Sequence, residues 1–351
     1  MVFPMKTKAA ILYKHNSPLI IQEIEIPKLK KGQVLVKMLA SGICRSQLNE
    51  IRGLKGNDQY LPHLLGHEGF GIVEEIGKEV TKVKAGDHVV ITWIKGEGLD
   101  GGAVQYKFKD KTINSGPVAA FCEDAVISEN RLVRVIQKIP YDTAALLGCA
   151  VLTGAGLVRH HSPSDSSTLA VFGTGGIGGG AILGAKMKGY KKIIAIDINK
   201  SALQFAKKIG ATETILFAEK TIGEKIRALC PEGLDFAVEA SGNKQAMEKA
   251  YQAIKNNGLL VIAGNLKKGE TISIDPFGLI CQKKIIGSWG GESNPDRDIP
   301  FYIKSFREGI FPFNQLLTRR FQLKQVNEAL KILSDNQSQG RMIIDFTTYN
   351  K

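Results

Sequence analysis

Short runs of alternating apolar and polar residues dominate the first part of the chain. Lys8–Leu12 and Leu19–Ile26 read as strands around an Asn-Ser-Pro turn. Gln33–Ser41 alternates after a Lys-Gly pair, and Gly69–Ile76, His88–Trp93 and Ala125–Ser128 continue the pattern. Glycine and proline punctuate these strands, which predicts a β-rich unit built as a partly open barrel. The pattern changes near residue 150. Apolar strands at Thr168–Phe172, Lys192–Asp197, Asp235–Glu239, Leu259–Ala263 and Lys284–Ser288 then alternate with helical segments at Gly176–Lys188, Ser201–Ile209 and Lys244–Ile254. Such alternation predicts a parallel sheet covered on both faces. A helix (Lys324–Leu333) and a last strand (Arg341–Thr347) follow, and this tail is expected to return to the first unit. The expected class is α/β, with a discontinuous β-rich domain over 1–150 and 290–351 and a doubly wound domain over 151–289.

Composition narrows the class. At 351 residues the chain exceeds one ordinary core, in keeping with two domains. Hydrophobic residues at 43% and charged residues at 23% are a globular balance, not that of a disordered chain. The most apolar stretch, Leu169–Ala185, is broken by seven glycines and makes a poor membrane helix. The first residues, MVFPMKTKAAILYKHN, lack an apolar signal core with a small-residue cleavage site, so a cytoplasmic protein is expected. Cys44, Cys122, Cys149, Cys230 and Cys281 are odd in number and widely spaced, which fits a reducing compartment and not a disulfide framework. The net charge of +13 comes from scattered lysines without an arginine-rich block, so solvated surface charge is favoured over nucleic-acid binding.

One loop carries a specific signal. Gly173-Thr-Gly175-Gly176-Ile177-Gly178 follows a strand and opens a helix. Gly173 permits the tight turn, Gly175 clears room for a pyrophosphate, and Gly178 lets helix and strand pack closely. Free N–H groups at the helix start attract phosphate. The next strand ends in Asp197, 19 residues after Gly178. A carboxylate there accepts the ribose hydroxyls of NAD and repels the 2′-phosphate of NADP.

Three further segments offer metal-ligating types: Gly42-Ile-Cys44-Arg-Ser46, Gly66-His67-Glu68-Gly69 and Gly148-Cys149-Ala-Val-Leu-Thr153-Gly154. Two thiolates and an imidazole suit zinc with one open position. By residue type alone, small buried cysteines are the competing reading.

These segments, with Gly66-His-Glu-Gly-Phe-Gly-Ile-Val, Gly86-Asp87, the glycine loop and Gly340-Arg-Met-Ile-Ile, occur in one order along the chain. The pattern resembles the zinc-dependent medium-chain alcohol dehydrogenases. The resemblance implies a GroES-like catalytic domain and a Rossmann domain with the active site in the cleft between them. It implies catalytic zinc on Cys44, His67 and Cys149, with Glu68 able to approach the metal, Thr153 beside the nicotinamide and Ser46 passing on the substrate proton. It also implies hydride exchange between a small alcohol or carbonyl substrate and NAD, and a homodimer or homotetramer joined through the Rossmann sheet edge near Leu279–Ser288. A zinc-free reductase on the same fold is disfavoured by the intact ligand set. A non-catalytic nucleotide-binding protein with a basic surface is the reading from another class.

Some positions depart from the family. Many relatives carry four close cysteines around a structural zinc, but Ile94–Gly102 has none, so one zinc per chain is expected. Gln47 stands where a carboxylate is usual, and a neutral amide supports His67 less strongly. Asn49 stands where a shuttle histidine is found in relatives that use one. Around the expected substrate pocket, Trp93 and Trp289 supply broad walls, whereas Lys55, Asn114, Ser115 and Asn265 are polar and would suit a polyol, sugar or sugar phosphate. Simple aliphatic or aromatic alcohols are the alternative. His160 and His161 are expected at the surface before a Ser-Pro-Ser-Asp-Ser-Ser loop, His15 in a turn, and His63 in a structural role or at the pocket edge. Cys122, Cys230 and Cys281 read as ordinary core or surface residues. Replacing Asn49→His is expected to alter the pH dependence of turnover; an unchanged profile would count against a proton route through this position.

Overall fold

Five strands close on themselves in the N-terminal part of the computed structural model, which describes residues 5–163, 168–218 and 220–347. Lys6–Leu12 pairs antiparallel with Ile20–Glu25 and with His63–Leu64, and the hairpin Val104–Phe108/Lys111–Ser115 completes the ring. The barrel is therefore closed, where the sequence predicted a partly open one. The closing hairpin escaped the strand reading because it turns on Lys109, at φ 53°, with no glycine or proline to mark it.

A second sheet lies beside the barrel, in the order Leu132–Arg134, His88–Ile91, Gly69–Ile76, Gln33–Ile43, Arg341–Asp345, Leu317–Phe321, with Asp124–Ser128 also paired to Gln33–Ile43. The tail thus joins the early strands: Met342 sits opposite Ile43, and Ile344 opposite Ser41. Gln33–Ile43 is buried at nearly every position because both its faces are covered.

The third sheet has six parallel strands in the order Glu213–Leu216, Lys192–Asp197, Thr168–Phe172, Leu234–Glu239, Ile254–Ile262, Lys284–Gly287. Numbered within this unit the order is 3-2-1-4-5-6. It reverses between Thr168–Phe172 and Leu234–Glu239, where a doubly wound sheet leaves its ligand crevice. The helices Lys200–Ile209 and Lys244–Ala253 each begin on an asparagine whose side chain accepts a backbone N–H of the first turn.

One helix joins the two halves. Ala150–His161 is buried from Ala150 to Val158, so no polar face announces it in the sequence. It packs against Gly176–Lys188 at backbone distance. A Cβ on Gly154 would lie 2.2 Å from the carbonyl oxygen of Ile177 and 2.9 Å from Gly180 Cα. Among the described residues no single helix is long and apolar enough to cross a membrane; the bent pair Tyr141–Gly148 and Ala150–His161 is apolar because it is core. Gly154→Ala should therefore overpack this contact and cost about 3 kcal/mol. The chemical-denaturation midpoint is expected to fall, and an unchanged midpoint would show that the helices separate freely.

Candidate active site

Three loops that leave strands or enter helices deliver the ligand set. Cys44 follows Gln33–Ile43 in an extended conformation and starts the helix Arg45–Ile51. His67 follows Gly66, whose φ of 93° and contact with Phe121 exclude a side chain. Cys149 begins Ala150–His161. The ligand atoms of Cys44, His67 and Cys149 lie within 4.8 Å of one another. Nε2 of His67 is buried and has no hydrogen-bond partner. The Cys44 thiol is pulled well below its ordinary range, first by a hydrogen bond from Cys149, and Cys149 is raised as the donor. Two sulfurs and an unpartnered imidazole nitrogen this close together fit zinc, with one position left for a ligand.

A buried ion pair stands behind these ligands. Glu68 is fully buried, and its Oε1 lies 2.9 Å from Nε of Arg341, itself buried. Glu68 Oε2 accepts the backbone N–H of Ala150 at 3.2 Å. Burial pushes the Glu68 carboxyl up, and Arg341 opposes that shift. Burial would lower Arg341, but Glu68, Cys44 and Cys149 outweigh it and keep the guanidinium charged. Ser46 Oγ lies 3.3 Å from Nδ1 of His67, and Gln47 Nε2 lies 2.7 Å from the same atom.

From Cys44 a cleft of about 580 Å³ runs past the glycine loop to Asp197. Gly173 has φ 86°, and a Cβ on it would strike Ser241 at 2.7 Å. A Cβ on Gly175 would meet nothing of the protein, so the space above it is open to a ligand. One on Gly178 would lie 1.9 Å from the Gly173 oxygen, which makes glycine obligatory for this strand–helix contact. Gly176 and Ile177 line the cleft. Asp197 Oδ2 accepts the N–H and the hydroxyl of Thr174, at 2.8 and 3.0 Å, and Oδ1 accepts Asn199 N–H at 3.0 Å. Its remaining lone pair, on Oδ1, is available for a ribose hydroxyl. Thr153 is buried, with its hydroxyl unpartnered.

The polar residues expected in the substrate pocket are already engaged. Lys55 is exposed and paired to Glu50 at 2.8 Å. Asn114 donates to the Tyr60 carbonyl at 2.8 Å, and Ser115 to that of Gly116 at 3.0 Å. Asn265 is exposed, with its backbone against Gly242. Trp93 stands edge-on to His67, with ring centroids 6.5 Å apart, and Trp289 meets Trp93 at 5.0 Å while remaining 75% exposed. Asn49 is half-buried in the helix after Cys44. His15 lies in a turn. His63 Nε2 pairs with Asp58 at 2.8 Å. His160 and His161 are half-buried, held by Asp298 and the Ser288 hydroxyl, rather than displayed at the surface. Residues 164–167 of the serine-rich loop lie outside the described residues.

Sequence reasoning gave no role to Thr174, Glu239 or Arg341. The one visible signal was an arginine opening the apolar strand Arg341–Asp345. Glu239 ends Leu234–Glu239 fully buried, and Oε1 accepts N–H groups from Ser241 at 2.8 Å and Gly242 at 3.1 Å. It thereby shapes the Ser241–Asn243 turn that lines the cleft. Burial outweighs these bonds and pushes the carboxyl up to about 7, from an ordinary 4.5. The native state binds this proton more tightly than the unfolded chain, so its contribution to stability is present at acidic pH and lost as pH rises between those values. The penalty above that window is about 3 kcal/mol. Glu239→Gln should melt higher than the parent at pH 8, with the difference shrinking toward pH 5. A pH-independent difference would refute this account.

Comparison with known proteins agrees with this geometry. Residues 30–137 match the alcohol dehydrogenase GroES-like domain, and residues 176–305 match the zinc-binding dehydrogenase domain. The chain is 32% identical to S-(hydroxymethyl)glutathione dehydrogenase of Saccharomyces cerevisiae, covering 94% of each chain. It is 31% identical to alcohol dehydrogenase 6 of Peromyscus maniculatus, covering 95% of this chain and 96% of that one. The crystal structure of benzyl alcohol dehydrogenase from Acinetobacter calcoaceticus superposes with a TM-score of 0.84 at 28% identity, covering 97% of this chain and 99% of that one. With both family domains matched in order and Cys44, which lines the cleft, gathered with His67 and Cys149, the chain belongs to the zinc-containing medium-chain alcohol dehydrogenases.

Proposed function

We propose that this alcohol dehydrogenase uses NAD, carries one zinc per chain on Cys44, His67 and Cys149, and acts on alcohols or carbonyls with an apolar or aromatic body. One observation carries the reading: Cys44, the glycine loop and Asp197 line a single cleft. A dinucleotide with its adenosine ribose at Asp197 and its pyrophosphate over Gly175 therefore points its reactive end toward the ligand set. A 2′-phosphate would meet the Asp197 carboxylate, so NAD is favoured over NADP.

Zinc held there supplies Lewis acidity that lowers the pKa of an alcohol, and NAD supplies the hydride acceptor. The chain's own residues position the reaction. Ser46 borders His67 and is placed to take the substrate hydroxyl proton. The buried Thr153 hydroxyl has no internal partner and is free to bond the nicotinamide end. Glu68, held by Arg341 and Ala150 N–H, keeps a carboxylate behind the ligands. Trp93 and Trp289 offer flat apolar surface beside His67. Because Lys55, Asn114 and Ser115 are satisfied within the protein, they give a polyol few partners, and the aromatic wall favours simple aliphatic or aromatic alcohols.

A single zinc is supported by the segment that lacks the four cysteines. The Glu129 carboxylate accepts the N–H groups of Thr81, Lys82 and Leu99, each at 2.7 Å, and so organises this short loop without a metal. Homo-oligomerisation through the outer strand Lys284–Gly287 is supported by exposed Phe277, Leu279, Ile280 and Ile286 beside it. The scattered lysines and unpaired cysteines support a cytoplasmic location without nucleic-acid or membrane partners.

The test is NADH formation from NAD with aliphatic and aromatic alcohols, polyols, sugars, sugar phosphates and S-(hydroxymethyl)glutathione, in zinc-loaded and zinc-stripped samples. Zinc-dependent activity on apolar alcohols is expected. Activity confined to polyols or sugar phosphates would overturn the pocket reading, and activity retained without zinc would overturn the metal assignment.

A further inference from the structure

Gln47 is 1% exposed, and its amide bridges the Cys44 backbone N–H and the His67 ring. Its Oε1 accepts the backbone N–H of Cys44 at 2.7 Å, and its Nε2 lies 2.7 Å from Nδ1 of His67. The other ring nitrogen of His67, Nε2, is buried without a partner and is the one left for the metal. In this geometry the amide donates to Nδ1 and accepts Cys44 N–H. A metal takes the Nε2 lone pair, so the neutral ring must then carry its proton on Nδ1. Nδ1–H and Cys44 N–H now both require an acceptor. Turning the amide over only exchanges which donor is unmet, because glutamine has one oxygen whichever way it points. Ser46 Oγ, 3.3 Å from Nδ1, is a hydroxyl that donates to the bare nitrogen and can turn to accept Nδ1–H.

We propose that Gln47 and Ser46 are positioning residues that set the zinc affinity of this site: Gln47 lowers it by favouring the metal-free ring, and Ser46 restores part of it by accepting Nδ1–H once zinc is bound. This rests on the Cys44–His67–Cys149 zinc site argued above. It makes zinc more exchangeable here than it would be with a carboxylate at position 47, whose two oxygens can serve both donors. It also joins the metal ligand to the hydroxyl that borders the substrate.

The experiment measures the apparent zinc dissociation constant of the full chain by competition with a chromophoric chelator at fixed pH, with circular dichroism and melting temperature as fold controls. Gln47→Glu is expected to tighten zinc about 10-fold. Ser46→Ala is expected to weaken zinc about 10-fold in the parent chain, and less than about 2-fold when combined with Gln47→Glu. That loss of coupling separates acceptor sharing from the bulk attraction of an added negative charge. Unchanged or weaker zinc binding in a folded Gln47→Glu variant, or an equal Ser46→Ala effect in both backgrounds, overturns the proposal. If Gln47→Glu does not fold, unchanged zinc affinity in Ser46→Ala alone overturns it, and the 10-fold loss supports it. A parent chain that binds no zinc would remove the metal site itself, a result distinct from zinc binding that these variants leave unaltered.

Discussion

Three distant parts of the chain are pinned by one ion pair that water does not reach. Arg341 comes from the last strand, Glu68 from the loop carrying His67, and Ala150, which donates to Glu68, from the helix that starts at Cys149. Arg341 also donates to the Ile43 carbonyl at 3.1 Å, next to Cys44, and its guanidinium lies where a side chain on Gly176 would stand. Removing either partner would strand a buried charge, an event that typically costs about 3–5 kcal/mol. The ligand set, the glycine loop and the C-terminal strand are therefore fixed relative to one another by the same group. The low dielectric that makes the pair costly to break also keeps the field of Arg341 strong at both sulfurs.

Backbone proximity does the complementary work. Gly154 and Gly180 let the Cys149 helix lie directly on the helix that follows the glycine loop, and Gly178 brings that helix onto its strand. A displacement of the nucleotide loop would thus move Cys149. Three glycine contacts and one ion pair thus hold the glycine-loop cleft against the Cys44–His67–Cys149 cluster.

Around this rigid centre, buried carboxylates shape loops through backbone N–H groups. Glu129 gathers Thr81, Lys82 and Leu99, and Glu239 gathers Ser241 and Gly242. Several directed hydrogen bonds compensate each desolvated acid. The compensation differs: Glu129 is held below its ordinary pKa, whereas Glu239 is driven above it. The loop at Leu99 thus rests on a stably ionised group, and the cleft borders one raised to about 7.

The sequence by itself determined the parallel sheet, because short apolar strands alternating with helices admit few other folds. It also determined the glycine loop with Asp197, since Gly173 needs its positive φ and Gly178 its contact with the Gly173 oxygen from local geometry alone. Cys44, His67 and Cys149 were legible as a set only through their order within a family pattern; their approach to within 4.8 Å is a product of three different loops. Tertiary structure alone decided the closed barrel, whose closing hairpin turns without glycine or proline, and the helix Ala150–His161, whose uniform burial erases periodicity. It also decided the partners of Arg341, Glu239 and Gln47, because a polar side chain's role depends on which groups face it. For the same reason Lys55, Asn114 and Ser115, polar residues expected around the substrate, are satisfied by neighbours in their own domain: hydrogen-bond partners are set by three-dimensional proximity, which residue type does not encode.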